Sequence, residues 1–170
     1  MSLNLSDFLT LEDSSGVLLL EDGFKLLLET SVVSSGKQLQ TAVYEILEPV
    51  FTARGVGVYD EVPDLAAGMP EGSFPYVEIA ETIFVPFDTD DNVGWEAFMT
   101  FHIWSRARGK EEAYQIEQML YDALNRVSIT LSGYDVFDAL KSGAFTIRRD
   151  PDNTTIHGFG DYVFKATTRS

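Results

Sequence analysis

Three short apolar runs, each followed by acidic residues, lie in the first 33 residues: FLTLED (8–13), VLLLED (17–22) and FKLLLET (24–30). Apolar runs bounded by turn residues are typical of short strands, and Asp22-Gly23 is a hairpin signal. A single leucine-rich helix is the alternative, but Gly16 and Gly23 inside it would cost about 1 kcal/mol each. We therefore predict a β arm over residues 1–35, with a linker at 31–36. Because a lone hairpin is unstable in water, the arm must cover its own domain or add to another chain.

The remaining chain, 36–170, alternates between helical and extended patterns. Apolar residues recur at three- and four-residue spacing in two segments, and this spacing predicts helices over 37–53 and 110–125. The first helix buries a stripe made of Leu39, Val43, Ile46, Leu47 and Val50. Strands are predicted at 56–58, 75–87, 95–104, 127–132, 143–149 and 156–167.

Residues 134–141 are compatible with a helical turn or with an irregular connection. Strands 75–87 and 95–104 form a hairpin whose acidic tip is 88–92. The order α-β-β-β-α-β-β-β predicts an α+β fold: two main helices on a mixed, largely antiparallel sheet, plus the N-terminal hairpin-like arm.

Charge narrows the possible functions. Twelve Lys and Arg against 27 Asp and Glu leave a net charge of −15, which disfavours binding to nucleic acid or an anionic membrane. Residues 36–104 carry twelve acids and two bases, whereas 105–170 carry nine of each. Cysteine is absent, which excludes disulfides, thiolate metal sites and cysteine nucleophiles. No apolar run is long enough for a membrane helix, and the acidic start is unlike a signal peptide, so we expect the protein in the cytoplasm of the cell that makes it.

No catalytic motif is present: the chain lacks GxSxG, GxGxxG, Walker and HExxH patterns. Asp88, Asp90 and Asp91 resemble half of a calcium loop, but the spacing fails and an ordinary acidic hairpin tip is the better interpretation. His102 and His157 are not in metal-ligand spacing. We interpret His102 as a histidine on the solvent side or at an interface, and His157 as a structural residue that can hydrogen-bond across strands. We therefore expect neither an enzyme nor a metal or cofactor site.

Aromatic and basic residues offer candidates for an interface instead. Trp95 and Trp104 are core residues or anchors of a subunit interface. Arg106, Arg108 and Lys110 form the one local basic cluster, for which ion pairs within the domain or across subunits are a better interpretation than phosphate binding.

Four motifs, in order, resemble a known family. They are Phe74–Ile79 (FPYVEI), Thr100–Arg106 (TFHIWSR), Gly109-Lys110 with Glu112-Ala113, and Arg149–Asp152 (RDPD) followed by Thr155–Gly158 (TIHG). Together they resemble the tail-completion or tail-terminator proteins of long-tailed bacteriophages and gene transfer agents. The resemblance covers roughly 37–168 and leaves the arm outside it.

The resemblance implies a homo-oligomeric ring, usually of six subunits, at the head-proximal end of the tail in the virion. Such a ring caps the tail tube, stops its polymerisation and docks the head completion or connector protein. DNA passes through the bore without specific binding, which an acidic lining favours. We place Trp95, Trp104, Arg106, Arg108 and His157 at a subunit or tube interface. We place Asp88, Asp90 and Asp91 at a tip that faces the bore or the tube.

Other functions stay open at this point. A head-side neck protein, either adaptor or stopper, has a similar fold, and an acidic module that mimics DNA and inhibits a nucleic-acid enzyme fits the charge.

Overall fold

The computed structural model describes residues 18–19, 25–26, 30–60, 62, 73–88 and 92–168, which form two compact units, Met1–Lys37 and Gln38–Ser170. Its elements, in chain order, are β1 (Leu18–Leu19), β2 (Lys25–Leu26), α1 (Thr30–Thr52), β3 (Gly57–Tyr59), β4 (Tyr76–Pro86), β5 (Gly94–Ser105), α2 (Glu111–Leu124), β6 (Ile129–Leu131), β7 (Tyr134–Arg149) and β8 (Ile156–Thr168).

In the first unit, β1 and β2 pair antiparallel, with Leu18 opposite Leu26, whereas the predicted hairpin turn at Asp22-Gly23 lies outside the described residues. The predicted run at 8–13 lies outside the described residues. The predicted linker at 31–36 is wrong, because α1 begins at Thr30. No helix of the described residues is long and apolar enough to cross a membrane.

The second unit confirms the predicted fold class and the order of its elements. Its six-stranded sheet has the order β3-β4-β5-β8-β7-β6, in which only the β3–β4 pair is parallel. The hairpin formed by β4 and β5 is confirmed, with Tyr76 opposite Trp104 and Pro86 opposite Trp95.

The assignment of 134–141 to a turn or connection is wrong, because β7 begins at Tyr134. Two register shifts against β8, at Val136/Asp138 and at Ser142/Thr146, interrupt this strand. Each shift inserts residues that break the period-two alternation by which a strand is recognised in sequence. The strand is continuous only because β8 pairs with it on both sides of the bulges.

One core joins both helices to one face of this sheet. Leu39, Val43 and Leu47 of α1 are buried as predicted, but Val50 is 46% exposed and Phe51 is buried instead. The spacing explains the difference, because Phe51 continues the four-residue row of the other three. Helix α2 packs on β5, β7 and β8, so the core face of the sheet is covered and the opposite face is not packed by a helix of the described residues.

Candidate interaction surface

The sheet face opposite the helices is the candidate site, and we call it the outer face. Along β5, alternate residues from Trp95 to Ser105 are buried in the core, while those between them, including His102 and Trp104, are partly exposed. The strand period of two therefore sends Trp104 and His102 to the outer face. Their cross-strand neighbours, His157 and Phe159 of β8, lie on the same face.

A stack of rings covers one end of this face, and we call it the aromatic patch; its members are Tyr76, His102, Trp104, His157 and Phe159. The rings of Trp104 and His157 lie nearly parallel, with centroids 3.9 Å apart and an interplanar angle of 5°. Phe159 lies 5.4 Å from His157, and Tyr76 lies 6.3 Å from Trp104. Directly opposite side chains on adjacent strands are close enough to stack, so the register builds the patch.

Hydrogen bonds hold the patch in place. Nδ1 of His102 and Nε2 of His157 lie 2.7 Å apart, which confirms the predicted cross-strand hydrogen bond of His157. Trp104 donates from Nε1 to a carboxylate oxygen of Glu78 at 3.2 Å. Because Trp104 is anchored at its only polar atom, its ring presents a fixed apolar surface.

Burial beneath Trp104 also decides the charge of His157. The pKa of His157 is lowered, first because burial disfavours the charged imidazolium and second because His102 lies beside it; Asp150, at 3.8 Å, acts in the opposite direction. Burial likewise raises the pKa of Tyr76 to about 12. Both shifts favour the uncharged forms of His157 and Tyr76 near neutral pH.

Two arginines border the patch. The Arg106 guanidinium stands 4.3 Å above the ring of Phe74, and that of Arg148 stands 5.4 Å from the ring of Phe159. Both arginines are exposed. Tryptophan, tyrosine and arginine are the residues most enriched at protein interfaces, so the patch has the composition of a protein-binding surface.

An apolar row crosses the middle of the outer face. Ile83, Phe98, Val163 and Leu140 lie opposite one another on β4, β5, β8 and β7. Ile83 is 61% exposed and the other three are partly exposed. A contiguous apolar strip at the surface of a protein commonly marks a contact with another protein.

The structure brings together three of the predicted interface residues, Trp104, Arg106 and His157. Trp95 lies apart in the core, 3% exposed, with its ring edge-on to Phe84 at 5.3 Å. Arg108 is exposed in a separate cleft of about 360 Å³ beside Glu111 and Glu112.

At the predicted acidic tip, Asp88 is exposed and accepts a hydrogen bond from the Gly94 N–H at 3.1 Å. Asp90 and Asp91 lie outside the described residues.

Sequence reasoning missed Glu78, Arg148 and Phe159. The alternation of β8 offered a signal for Phe159, because it stands two residues after His157. Arg148 could not be found in this way, since it reaches the patch only through the pairing of β7 with β8. Among the described residues, no group of three or more His, Asp or Glu could hold a metal ion.

Comparison with known proteins decides the family. Residues 41–165 match the family described as tail completion protein gp17. The chain belongs to this family. It is therefore a structural protein of the phage tail and a component of the virion, in a family of structural proteins rather than enzymes, and the predicted resemblance is confirmed.

Individual relatives agree with this membership. The tail completion protein gp17 of Bacillus phage SPP1 is 31% identical over 85 residues, which span 50% of this chain and 62% of that protein. Its solved structure has a TM-score of 0.52 at 26% identity, with 85% of this chain and 97% of that chain covered. A chain in the virion of a native gene transfer agent particle shares the fold, with a TM-score of 0.65 at 24% identity and 82% and 100% coverage.

Proposed function

We propose that the protein forms a ring, of six copies, at the head-proximal end of the tail tube. The ring stops tube polymerisation and joins the tail to the head connector. The match of residues 41–165 to the tail completion family carries this proposal. The aromatic patch and the apolar row support it, because Trp104 and Phe159 of the patch are partly exposed and Ile83 of the row is 61% exposed.

Within this ring we assign Trp104 and Arg106 to contact with the neighbouring subunit or the tube. His157 acts from beneath, by holding the ring of Trp104 flat. The acidic tip from Asp88 to Asp91 faces the bore or the tube. A negative lining repels the phosphate backbone, so that DNA passes without being held.

The arm has two possible roles, strand addition to a neighbouring sheet or cover for its own domain, and we propose the first. Deleting residues 1–29 removes β1 and β2 and spares α1. If the arm joins subunits, the shortened chain loses ring formation and tail attachment while its unfolding transition is kept. Unchanged assembly would contradict the role.

Purified protein is first sized by light scattering and imaged by electron microscopy, alone and with purified tail tubes. The expected result is a ring with a central bore, near six times 18.9 kDa, that caps tube ends and limits their length. A protein that neither caps tubes nor limits their length would overturn the proposal. Binding to portal complexes instead would assign it to the head side, and a monomer that binds a basic enzyme would make it an inhibitor.

The patch is tested with Trp104→Ala, which removes the stacked ring. Tyr114→Ala, on the exposed side of α2, is the matched control because Tyr114 is 56% exposed and lies away from the outer face. We expect Trp104→Ala to reduce capping while the control does not. Equal capping by the two variants would exclude the patch from the contact.

A further inference from the structure

Each margin of the six-stranded sheet is covered over only three residues by a short strand. β3 pairs only with Tyr76–Glu78 of β4, and β6 pairs only with Tyr134–Val136 of β7. In the described part of the chain, no strand lies beside Ile79–Pro86 on one margin or beside Phe137–Arg149 on the other. We call these the β4 margin and the β7 margin.

The two short strands lie at opposite ends of the sheet. Tyr76, Trp104, His157 and Arg148 form one row across it, so β3 lies at the same end as Arg148. Val136 and Ala166 lie at the other end, level with Trp95 and Pro86, and β6 lies there. The two margins are therefore complementary in shape. When the β4 margin of one copy meets the β7 margin of another, β3 of the first copy fits beside the open end of β7, and β6 of the second copy fits beside the open stretch of β4.

Strand direction permits this fit. β4 and β7 run in opposite directions, because three antiparallel pairings separate them. β3 is parallel to β4, so in a sheet continued from one copy into the next, β3 would lie antiparallel to the neighbouring β7. Antiparallel pairing is the more stable arrangement and satisfies backbone groups that an open edge leaves to water.

The β4 margin is acidic. Residues 55–105 contain ten acidic residues and no Lys or Arg. Asp60, directly after β3, and Glu81, at the irregularity of β4, are both exposed. Neither has an ion pair with a described residue.

The β7 margin is basic at its open end. Arg148 and Arg149 are exposed, and Lys110 donates from Nζ to the backbone oxygen of Ile147 at 2.9 Å. The ion pairs of the described region use other cations, and the nearby carboxylate of Asp150 is directed to His157. Lys110 has no ion pair with a described residue, and the predicted ion pairs of its cluster, within the domain or across subunits, stay a prediction.

We propose that the β7 margin of one copy binds the β4 margin of the next, with Arg148 and Arg149 at the end of the contact that carries β3 and Asp60, and with Glu81 further along the same acidic margin. The occupant is a second copy of this chain, because one chain carries both the complementary shapes and the complementary charges. A contact between two different margins is head-to-tail, and such contacts form a ring when the rotation between neighbouring copies closes, as the proposed ring requires. This inference rests on the proposed ring and names the surfaces that join its subunits.

Charge reversal tests the pairing. In Arg148→Glu/Arg149→Glu both margins are acidic, and in Asp60→Lys/Glu81→Lys the two exposed acids of the β4 margin become positive, like the arginines of the β7 margin. We expect each variant alone to associate about tenfold or more weakly than the wild type, because like charges then meet at every contact. An equimolar mixture restores association, since each copy then finds an opposite margin. Sedimentation velocity measures size with and without tail tubes, so that a ring formed only on a tube end is also detected.

Control variants reverse charges on the helices instead. Lys37→Glu, a single reversal, and Glu45→Lys/Asp122→Lys alter exposed residues of α1 and α2 rather than of β3, β4 or β7, and we expect them to associate as the wild type does. Far-UV circular dichroism and denaturant unfolding verify that every variant is folded.

Three outcomes would overturn the proposal. The first is wild-type association by either reversed variant; the second is a mixture of folded variants that stays dissociated. The third is retention of duplex DNA by the wild type, lost only in Arg148→Glu/Arg149→Glu with association unchanged, which would assign the β7 margin to nucleic acid.

If the wild type caps tubes and the reversed variants cap equally well, the ring stands and its interface lies elsewhere. If the wild type neither associates nor caps tail tubes, the proposed function itself is wrong.

Discussion

His157 shows how a residue that resembles a catalytic group can serve structure. Its ring stacks on Trp104, hydrogen-bonds to His102 and is buried, with 7% of its surface exposed. Its lowered pKa follows from that burial. The neutral form suits the site, because the contact with His102 requires one of the two facing nitrogens to lack a proton.

This burial predicts a pH dependence of stability. An unfolded histidine titrates near pH 6.5, and the folded pKa of His157 lies below that value. The unfolded state therefore binds more protons between the two pKa values, and the free energy of unfolding falls as the pH is lowered through this window. Denaturant unfolding at a series of pH values from 7 to 5 measures the fall.

His157→Phe is the matched control for this dependence, because it keeps a ring beneath Trp104 and cannot titrate. We expect the slope of unfolding free energy against pH to be smaller in His157→Phe than in the wild type. Equal slopes would mean that His157 is not the group responsible.

β5 is the element that organises the domain. It pairs with β4 along one side and with β8 along the other, and it sends one set of side chains to the core and the other to the outer face. Its first residue, Gly94, lies between two backbones: a Cβ there would stand 2.5 Å from the Phe87 oxygen and 2.6 Å from the Ala166 oxygen. Only glycine allows β5 to begin at this point without moving a neighbouring chain.

Gly94→Ala should therefore destabilise the domain by about 1–3 kcal/mol, because backbone carbonyls cannot yield as a flexible side chain would. Gly109→Ala is the control, since a Cβ at Gly109 meets nothing within 4 Å. We expect that control to change stability by less than about 0.5 kcal/mol. Urea unfolding of both variants checks the difference, and equal effects would contradict the close approach at Gly94.

The apolar row makes a second prediction about an element. Ile83 is 61% exposed, so Ile83→Lys should leave the unfolding free energy within about 0.5 kcal/mol of the wild type. If the outer face is buried in the assembly, the same variant weakens ring formation or tube capping. Stability and assembly are measured on the same preparation. If the variant assembles normally, the apolar row remains exposed to solvent in the assembly.

Each copy of the chain carries a net charge of −15, so the negative charge adds up when copies assemble. Most of the excess acid lies in residues 36–104, so a ring built from this chain carries a strongly negative surface. Phosphate backbones are repelled by such a surface, and the repulsion is screened by salt.

We therefore expect no retention of duplex DNA at about 0.15 M salt, in either a mobility shift or a filter-binding measurement. Polyacrylate is a useful comparison, because binding of this polyanion would reveal a basic site that accepts any negative chain. Retention of DNA with a steep dependence on salt would contradict the prediction.

The kinds and order of the helices and strands follow from local pattern, because the periodicity of a helix or a strand is set by residues close to one another in sequence. The helix over 110–125, the hairpin of β4 and β5, and the excess of acid needed no tertiary information. Local pattern failed at β7, where two bulges erase the alternation and only the partner strand keeps the segment extended.

The aromatic patch and the charged margins depend on which strands become neighbours. Trp104, His157 and Arg148 lie on three strands and become one row only because β8 inserts between β5 and β7. Asp60 and Arg149 likewise reach opposite margins through strand order. Such pairings are long-range contacts, and their choice depends on how the complete core packs, which no short window of residues encodes.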